Sequence, residues 1–198
     1  MIAIVDYGAG NLRSIQRAIE AAGAETTITA DPDEVGAADR VVLPGVGNAA
    51  AAMNRLRETG LAEAVTEAAE AGKPVLGVCL GMQLLFGDQE EGPTTGLGLL
   101  PGTVRSLPAG HKVPQMGWNL AEFRPGTPMS MMNQAYFYFV HSYIVHPEEE
   151  TDIAADTDYG VRFPSIVARD AIWGFQFHPE KSGDDGIALV RTWVDWKP

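Results

Sequence analysis

The stretch KPVLGVCLGMQLLF, residues 73 to 86, carries the only cysteine of the chain, Cys79, with Gly77 two residues before it and Gly81 two after. G-V-C-L-G has the form of a nucleophile elbow, a tight strand-to-helix turn that lifts one reactive side chain out of the backbone. Glycines are needed on either side because a Cβ there would collide with the crowded turn. At the start of a helix the positive end of the dipole favours an anionic sulfur, and the backbone N–H of Leu80 would point toward an oxyanion formed on an attacked carbonyl. The alternative is a small buried hydrophobe, the common fate of a free cysteine. The flanking glycines, the strand before and the helix after favour the nucleophile.

A thiol nucleophile needs a base, and the histidines are His111, His141, His146 and His178. In WGFQFHPEKS, Phe175 and Phe177 alternate with Gln176 and His178, so the phenyls pack on one face while His178 leaves on the other. Glu180 follows beyond Pro179, close enough to accept a hydrogen bond from one imidazole nitrogen and turn the other toward the thiol. A surface His-Pro-Glu turn is the plain alternative; beside the cysteine elbow, a Cys79-His178-Glu180 triad is the better account. A second oxyanion donor is offered by LPGVG, residues 43 to 47, whose two glycines let the backbone approach a ligand closely. GAGN (8 to 11) is a weak anion-binding turn, and GLGLLPG (96 to 102) reads as a loop and bulge before a β segment.

These groups must be held by regular elements. IAIV (2 to 5) is an apolar run fit for a buried strand, followed by a helix with Leu12, Ile15, Ile19 and Ala22 on one stripe and Gly23 as its stop. RVVLPG (40 to 45) predicts a strand, NAAAAMNRLRETG and LAEAVTEAAEAG two helices, PVLGV (74 to 78) a strand, and Leu80 to Phe86 a further helix. The alternation predicts a three-layer α/β/α fold with a mostly parallel central sheet. From about Gly87 the chain turns β-rich, with segments near 102–107, 115–120, 136–145, 161–169 and 172–178, before a last helix in DDGIALVRTWVDW. The segment 124–135 shows no pattern.

With 198 residues and 45% hydrophobic composition, the chain is expected to form one globular domain over 1–198. A net charge of −12 opposes binding to nucleic acid or anionic lipid. No apolar run reaches membrane-spanning length and the N-terminus has no leader pattern, so a cytoplasmic protein is expected. No cysteine or histidine pair has zinc spacing, and neither metal nor cofactor is expected.

The cysteine elbow, the PGVG turn and H-P-E together resemble the class I (triad) glutamine amidotransferases. DYGAGNL, MGWN, YFVHSY and HPEKSG, in this order over nearly the whole chain, are similar to the glutaminase subunits of imidazole glycerol phosphate synthases. The resemblance implies a class I amidotransferase fold, attack of Cys79 on the glutamine carboxamide, proton transfer by His178 and orientation of His178 by Glu180. It places an oxyanion site at Leu80, Val46 and Gly47, and glutamine contacts at Gly45, Gly47, Gln83, His141, Ser142 and Tyr143. It also implies a (β/α)₈ cyclase partner that receives the ammonia, met by Gly8, Ala9, Asn11, Trp118, Asn119, Tyr138 and Lys181, and a subunit near silent until that partner holds its nucleotide. Trp118 suits an interface anchor or a core residue. One departure is Gln115, where the family's VPHMGWN has histidine; it lies outside the triad and bears on interface or coupling details. A glutaminase feeding another synthase, and a docking subunit without chemistry, are the competing readings; the complete triad speaks against the latter.

Overall fold

A computed structural model describes residues 1–92, 94–130, 132 and 134–197. The chain opens on β1 (Ile2–Val5), four buried residues, and continues through α1 (Leu12–Ala21), β2 (Thr26–Thr29), α2 (Pro32–Ala37) and β3 (Arg40–Gly45). There follow α3 (Ala49–Glu58), α4 (Leu61–Glu70), β4 (Val75–Cys79) and α5 (Leu80–Leu84). Two of these helices start on side-chain caps. Asp31 accepts from the Asp33 N–H with Pro32 at the first helical position, and Asn48 accepts from the Ala51 N–H.

The second half holds β5 (Phe86–Gln89), β6 (Thr94–Thr95), β7 (Leu100–Ser106), β8 (Gln115–Phe123), β9 (Ala135–His141), β10 (Tyr143–Pro147), β11 (Ile153–Asp158), β12 (Arg162–Arg169) and β13 (Ile172–Phe175). A 3₁₀ turn at Pro179–Lys181 leads into α6 (Gly183–Asp195). Nine strands form the main sheet in the order β2-β1-β3-β4-β13-β12-β11-β8-β9. It is parallel from β2 to β13 and antiparallel from β13 to β9. A smaller sheet runs β10-β7-β5-β6.

Strand alternation splits the core into two layers. Ile2 and Ile4 face Ile15, Ile19, Leu189 and Trp193 of α1 and α6, together with Phe137, Phe139, Phe175 and Phe177. Ala3 and Val5 face the opposite side with Val35, Met53, Leu56, Leu61, Val65, Leu80 and Met82, contributed by α2 to α5. Helices thus cover both faces of the sheet, as the αβ alternation predicts.

The structure corrects several sequence expectations. The helix after Cys79 ends at Leu84, and Phe86 begins a strand. The carbonyls of Leu84, Leu85 and Gly87 are taken by the N–H groups of Leu97, Leu100 and Gly96, so a tertiary ladder replaces the next helical turn. The 136–145 segment divides at Ser142 into β9 and β10, which belong to different sheets. Strands β2, β5, β6 and β11 and helix α2 have no counterpart in the sequence reading; most are short or alternate weakly. Of the 124–135 segment, positions 131 and 133 lie outside the described residues, while Met129 is fully buried.

Candidate active site

Cys79 is the last residue of β4 and stands before α5 with φ 54° and ψ −110°, a left-handed backbone rare for a residue with a Cβ. Such a conformation costs on the order of 1–3 kcal/mol and persists because the surroundings leave no alternative. A Cβ added at Gly81 would lie 1.8 Å from the Leu43 carbonyl oxygen, and one at Gly77 would lie 2.6 Å from the Gly81 oxygen. One at Gly45 would lie 2.8 Å from the Gly81 nitrogen. The ends of β3 and β4 and the start of α5 therefore meet with no space for a methyl group, and the thiol is forced out of the turn.

The sulfur opens into a cavity of about 350 Å³, where its donor contact is the Val140 carbonyl at 3.7 Å. His178 lines the same cavity. Its Nδ1–H donates to Glu180 Oε1 at 2.9 Å, with both side chains 3% exposed. Its other nitrogen, Nε2, is buried and has no hydrogen-bond partner among the described residues. The sulfur thus acts on the imidazole by proximity, without the geometry of a hydrogen bond. Burial pulls the imidazole down, but the Cys79 sulfur and the Glu180 carboxylate outweigh it, and the ring is raised from 6.5 to about 9. At neutral pH His178 holds its proton.

The backbone that carries His178 is pinned on both sides. The His178 N–H donates to the Tyr138 carbonyl at 2.9 Å, and Ser182 Oγ donates to the His178 carbonyl while accepting from the Tyr138 N–H. The strand expected over 172–178 ends at Phe175, yet Phe177 still stacks on Phe137 with centroids 4.1 Å apart, so the phenyl face of this segment is locked in the core.

Val46, Gly47 and Leu80, expected at the oxyanion site, all line the cavity, and Gly47 takes φ +97°. Gly45 does not line it; it packs beneath, against Gly81 and Leu80. Gln83, His141, Ser142 and Tyr143 are all at the cavity wall. The Gln83 NH₂ donates to the Tyr143 carbonyl at 3.1 Å and to Gln176 Oε1 at 3.2 Å.

His141 has Nδ1 at 2.9 Å from the Tyr143 carbonyl and Nε2 at 3.1 Å from the Gln115 amide. A carbonyl only accepts, so Nδ1 carries the proton. Burial holds this imidazole down to about 4 despite the Tyr143 carbonyl, and it is neutral at neutral pH. Its Nε2 is then an acceptor, so the Gln115 amide, whose Oε1 is placed toward it, is assigned the other way round and presents its NH₂. Gln115, 2% exposed, reaches the substrate cavity through His141, a role its place in the sequence did not suggest.

Three cavity-side residues escaped the sequence reading. Glu91 lines the cavity while one of its oxygens accepts from the Ala49 N–H at 2.7 Å, capping α3 from a remote segment. Tyr7 is buried and donates to the Pro44 carbonyl at 3.0 Å, holding the strand end that leads into the Gly45–Gly47 turn. Burial, with Cys79 adding to it, pushes its phenol well above the ordinary value. Gln176 is fully buried behind Gln83. Tyr7 and Gln176 fall within DYGAGNL and WGFQFHPEKS, but the role of each of the three is defined by what a distant segment brings to it.

Of the expected partner-facing residues, Trp118, Tyr138 and Lys181 form one surface. Trp118 is 57% exposed, which removes the core alternative, and meets Tyr138 edge-on at 6.2 Å. Lys181 Nζ lies 5.7 Å from the Tyr138 ring centroid. Met116, at 62%, extends the patch along β8. Asn119 turns its amide to the Asp158 carbonyl at 2.9 Å. Gly8 and Ala9 line a second cavity with Val46 and Gly47, and Asn11 is exposed at the start of α1. Among the described residues no acidic, histidine and cysteine cluster could hold a metal ion, and no helix is long and apolar enough to cross a membrane.

Residues 3–194 match the family model described as glutamine amidotransferase class-I. The chain is 48% identical to the imidazole glycerol phosphate synthase subunit HisH of Desulfitobacterium hafniense, over 99% of this chain and 94% of the relative. It is 49% identical to the subunit of the same name from Moorella thermoacetica, over 96% and 92%. A solved glutamine amidotransferase superposes with a TM-score of 0.78 at 19% identity, covering 96% of both chains. The structure of PurLQS from Thermotoga maritima does so at 0.76 and 20%, covering 98% of this chain and 97% of that one; both likenesses concern the fold alone.

Proposed function

We propose, since this chain belongs to the glutamine amidotransferase class-I family, that it is the glutaminase subunit of an imidazole glycerol phosphate synthase. It hydrolyses L-glutamine to glutamate and ammonia, and the ammonia passes to a cyclase subunit. The observation that carries the chemistry is a cysteine forced into a strained elbow on the same cavity as a buried, carboxylate-paired histidine.

In this reading Cys79 gives its thiol proton to His178 Nε2 and Sγ attacks the carboxamide carbon, and the oxygen that gains charge faces the Leu80 N–H and the Val46–Gly47 turn. The protonated His178 gives its Nε2 proton to the amide nitrogen as the C–N bond breaks, ammonia leaves and a γ-glutamyl thioester remains. Neutral His178 then takes a proton from water, whose oxygen attacks the thioester; the C–S bond breaks and glutamate is released. Glu91 offers a carboxylate to the substrate's ammonium group.

Ammonia is then incorporated by the partner, a (β/α)₈ cyclase acting on a phosphoribosyl-formimino carboxamide nucleotide. The exposed row of Met116, Trp118 and Tyr138, edged by Lys181, supports docking of that partner on the β8–β9 side. The decisive experiment measures glutaminase rates for the chain alone, with a cyclase subunit, and with the nucleotide ligand added. The rate is expected to rise at least about tenfold in the last arm. Trp118→Ala is expected to weaken cyclase binding by about 2 kcal/mol. Equal rates in all three arms would reject the coupled reading.

The raised imidazole has a consequence for pH. Its folded value lies above 6.5, so the stabilisation it reports is full below about 6.5 and is lost as pH rises through about 9. Glu180→Gln removes the carboxylate's share, so His178 loses its proton at lower pH. The basic limb of the glutaminase profile should move to lower pH, and kcat should fall by about 10²- to 10⁴-fold. The stability gap between wild type and variant, read by thermal unfolding, should narrow as pH rises past 9. An unshifted basic limb would show that Glu180 does not set the proton affinity of His178.

A further inference from the structure

We propose that Gln176 is a positioning residue for glutamine recognition: it fixes the amide plane of Gln83 so that the Gln83 carbonyl oxygen faces the substrate's ammonium group. The inference rests on the glutaminase reading above and adds to it a residue that never touches the substrate.

The hydrogen-bond directions are forced by chemistry. The group of Gln83 that meets the Tyr143 carbonyl at 3.1 Å must be its NH₂, since a backbone carbonyl can only accept. The second hydrogen of that NH₂ goes to Gln176 at 3.2 Å, so Gln176 must present its oxygen. One bond would leave the Gln83 amide free to swing about a single contact; two bonds in different directions define its plane. Both donor hydrogens are then used, and the group left to act in the cavity is the oxygen, an acceptor suited to an ammonium ion.

The distances suit the substrate. Gln83 lies four residues beyond Cys79, about 6 Å along the helix axis, which is comparable to the reach from a glutamine carboxamide to its amino-acid end. Glu91 supplies a carboxylate to the same cavity, so two acceptors converge on one cation.

Gln176 is built to hold still. It is fully buried, its N–H donates to the Ser165 carbonyl at 2.9 Å, and the phenyls on either side of it, Phe175 and Phe177, are stacked in the core with centroids 5.7 Å apart. Two residues further on the same segment carries His178. One buried stretch therefore sets both the recognition of the amino-acid end and the proton transfer at the other end, and the spacing between them is fixed by the short segment that follows β13.

The test uses the complex with cyclase subunit and nucleotide ligand. Gln176→Met, which keeps the shape and removes the acceptor, should raise KM for glutamine roughly tenfold, about 1.4 kcal/mol, with kcat within about threefold of wild type. Gln176→Glu keeps an acceptor oxygen and should restore KM. Inactivation by iodoacetamide, which has no ammonium group, should be unchanged in Gln176→Met, whereas inactivation by 6-diazo-5-oxo-L-norleucine should slow by about the same tenfold factor. A wild-type KM in Gln176→Met, or a loss confined to kcat, overturns the proposal. If that variant does not fold, Gln83→Met carries the test: it must raise KM by the same factor, and a wild-type KM there overturns the proposal as well. A wild-type complex that fails to hydrolyse glutamine rejects the glutaminase reading itself, whereas wild-type turnover with an unaffected Gln176→Met rejects only this inference.

Discussion

Cys79→Ala lowers glutamine hydrolysis by the liganded complex by about 10⁴-fold or more and leaves cyclase binding intact. The size of the loss follows from the composition of the site: Cys79 is the single cysteine of the chain, and the cavity offers no second sulfur to take over. Ser142 lines the cavity, but it sits between β9 and β10 and is not raised on a strained turn beside a helix start. Cys79→Ser should fall nearly as far, because a hydroxyl gives up its proton much less readily than a thiol. Neither variant should unfold the protein. The strained φ of 54° is imposed by the glycines around position 79, not by its sulfur, and Ala or Ser keeps the same Cβ. Binding should survive because Met116, Trp118 and Tyr136 present exposed side chains on β8 and β9, whereas Cys79 is buried and its replacement by Ala or Ser takes nothing from that surface. Rates of glutamate release, with titration calorimetry against the cyclase subunit, separate the two effects. Full turnover in Cys79→Ala would end the triad reading, and loss of cyclase binding would mean that the elbow also shapes the docking surface.

The parts of this site that could be read from sequence are those whose constraint is local. Gly77 must be a glycine because of Gly81 and Met82 in the same turn, and Glu180 reaches His178 across one proline, so both leave a fixed spacing in the chain. The long buried strands are legible for the same reason: β3 is an apolar run and ends at the residue its turn requires. What escaped is set by distant partners. Nothing near Glu91 announces that it caps α3, and nothing near Tyr7 announces that its hydroxyl supports Pro44. Gln176 looks like an ordinary polar position in an alternating strand until Gln83 is placed over it. The end of α5 belongs to the same class, because its carbonyls are claimed by residues 96 to 100. Gln115 is the clearest case: its departure from the family pattern is visible in the sequence, but its meaning depends on His141, paired with it across β8 and β9.

Gly81→Ala should be the most destructive single substitution in the site, and its effect should fall on folding before it falls on chemistry. The added Cβ would stand 1.8 Å from the Leu43 oxygen and 2.8 Å from the Leu43 carbonyl carbon, both backbone atoms of β3. A flexible side chain could swing aside; β3 cannot. Its Leu43 pairs in register with Gly77 and its Gly45 with Cys79, and Val41, Val42 and Leu43 are fully buried between two helical layers. Relief of the clash therefore requires parting β3 from β4 or unwinding the start of α5, and either move dissolves the elbow. A cost above about 4 kcal/mol is expected, most of the stability of a domain at the lower end of the ordinary range of about 5–15 kcal/mol. Gly110→Ala provides the control, since φ is +99° there and no atom lies within 4 Å of the added Cβ. It carries only the backbone strain, about 1–2 kcal/mol. Thermal unfolding of the two variants distinguishes steric exclusion from conformational strain. If Gly81→Ala melted with Gly110→Ala and kept its glutaminase rate, the close approach of β3 to the turn could not be what holds Cys79 in its strained conformation, and the sulfur's presentation would have to come from α5 alone.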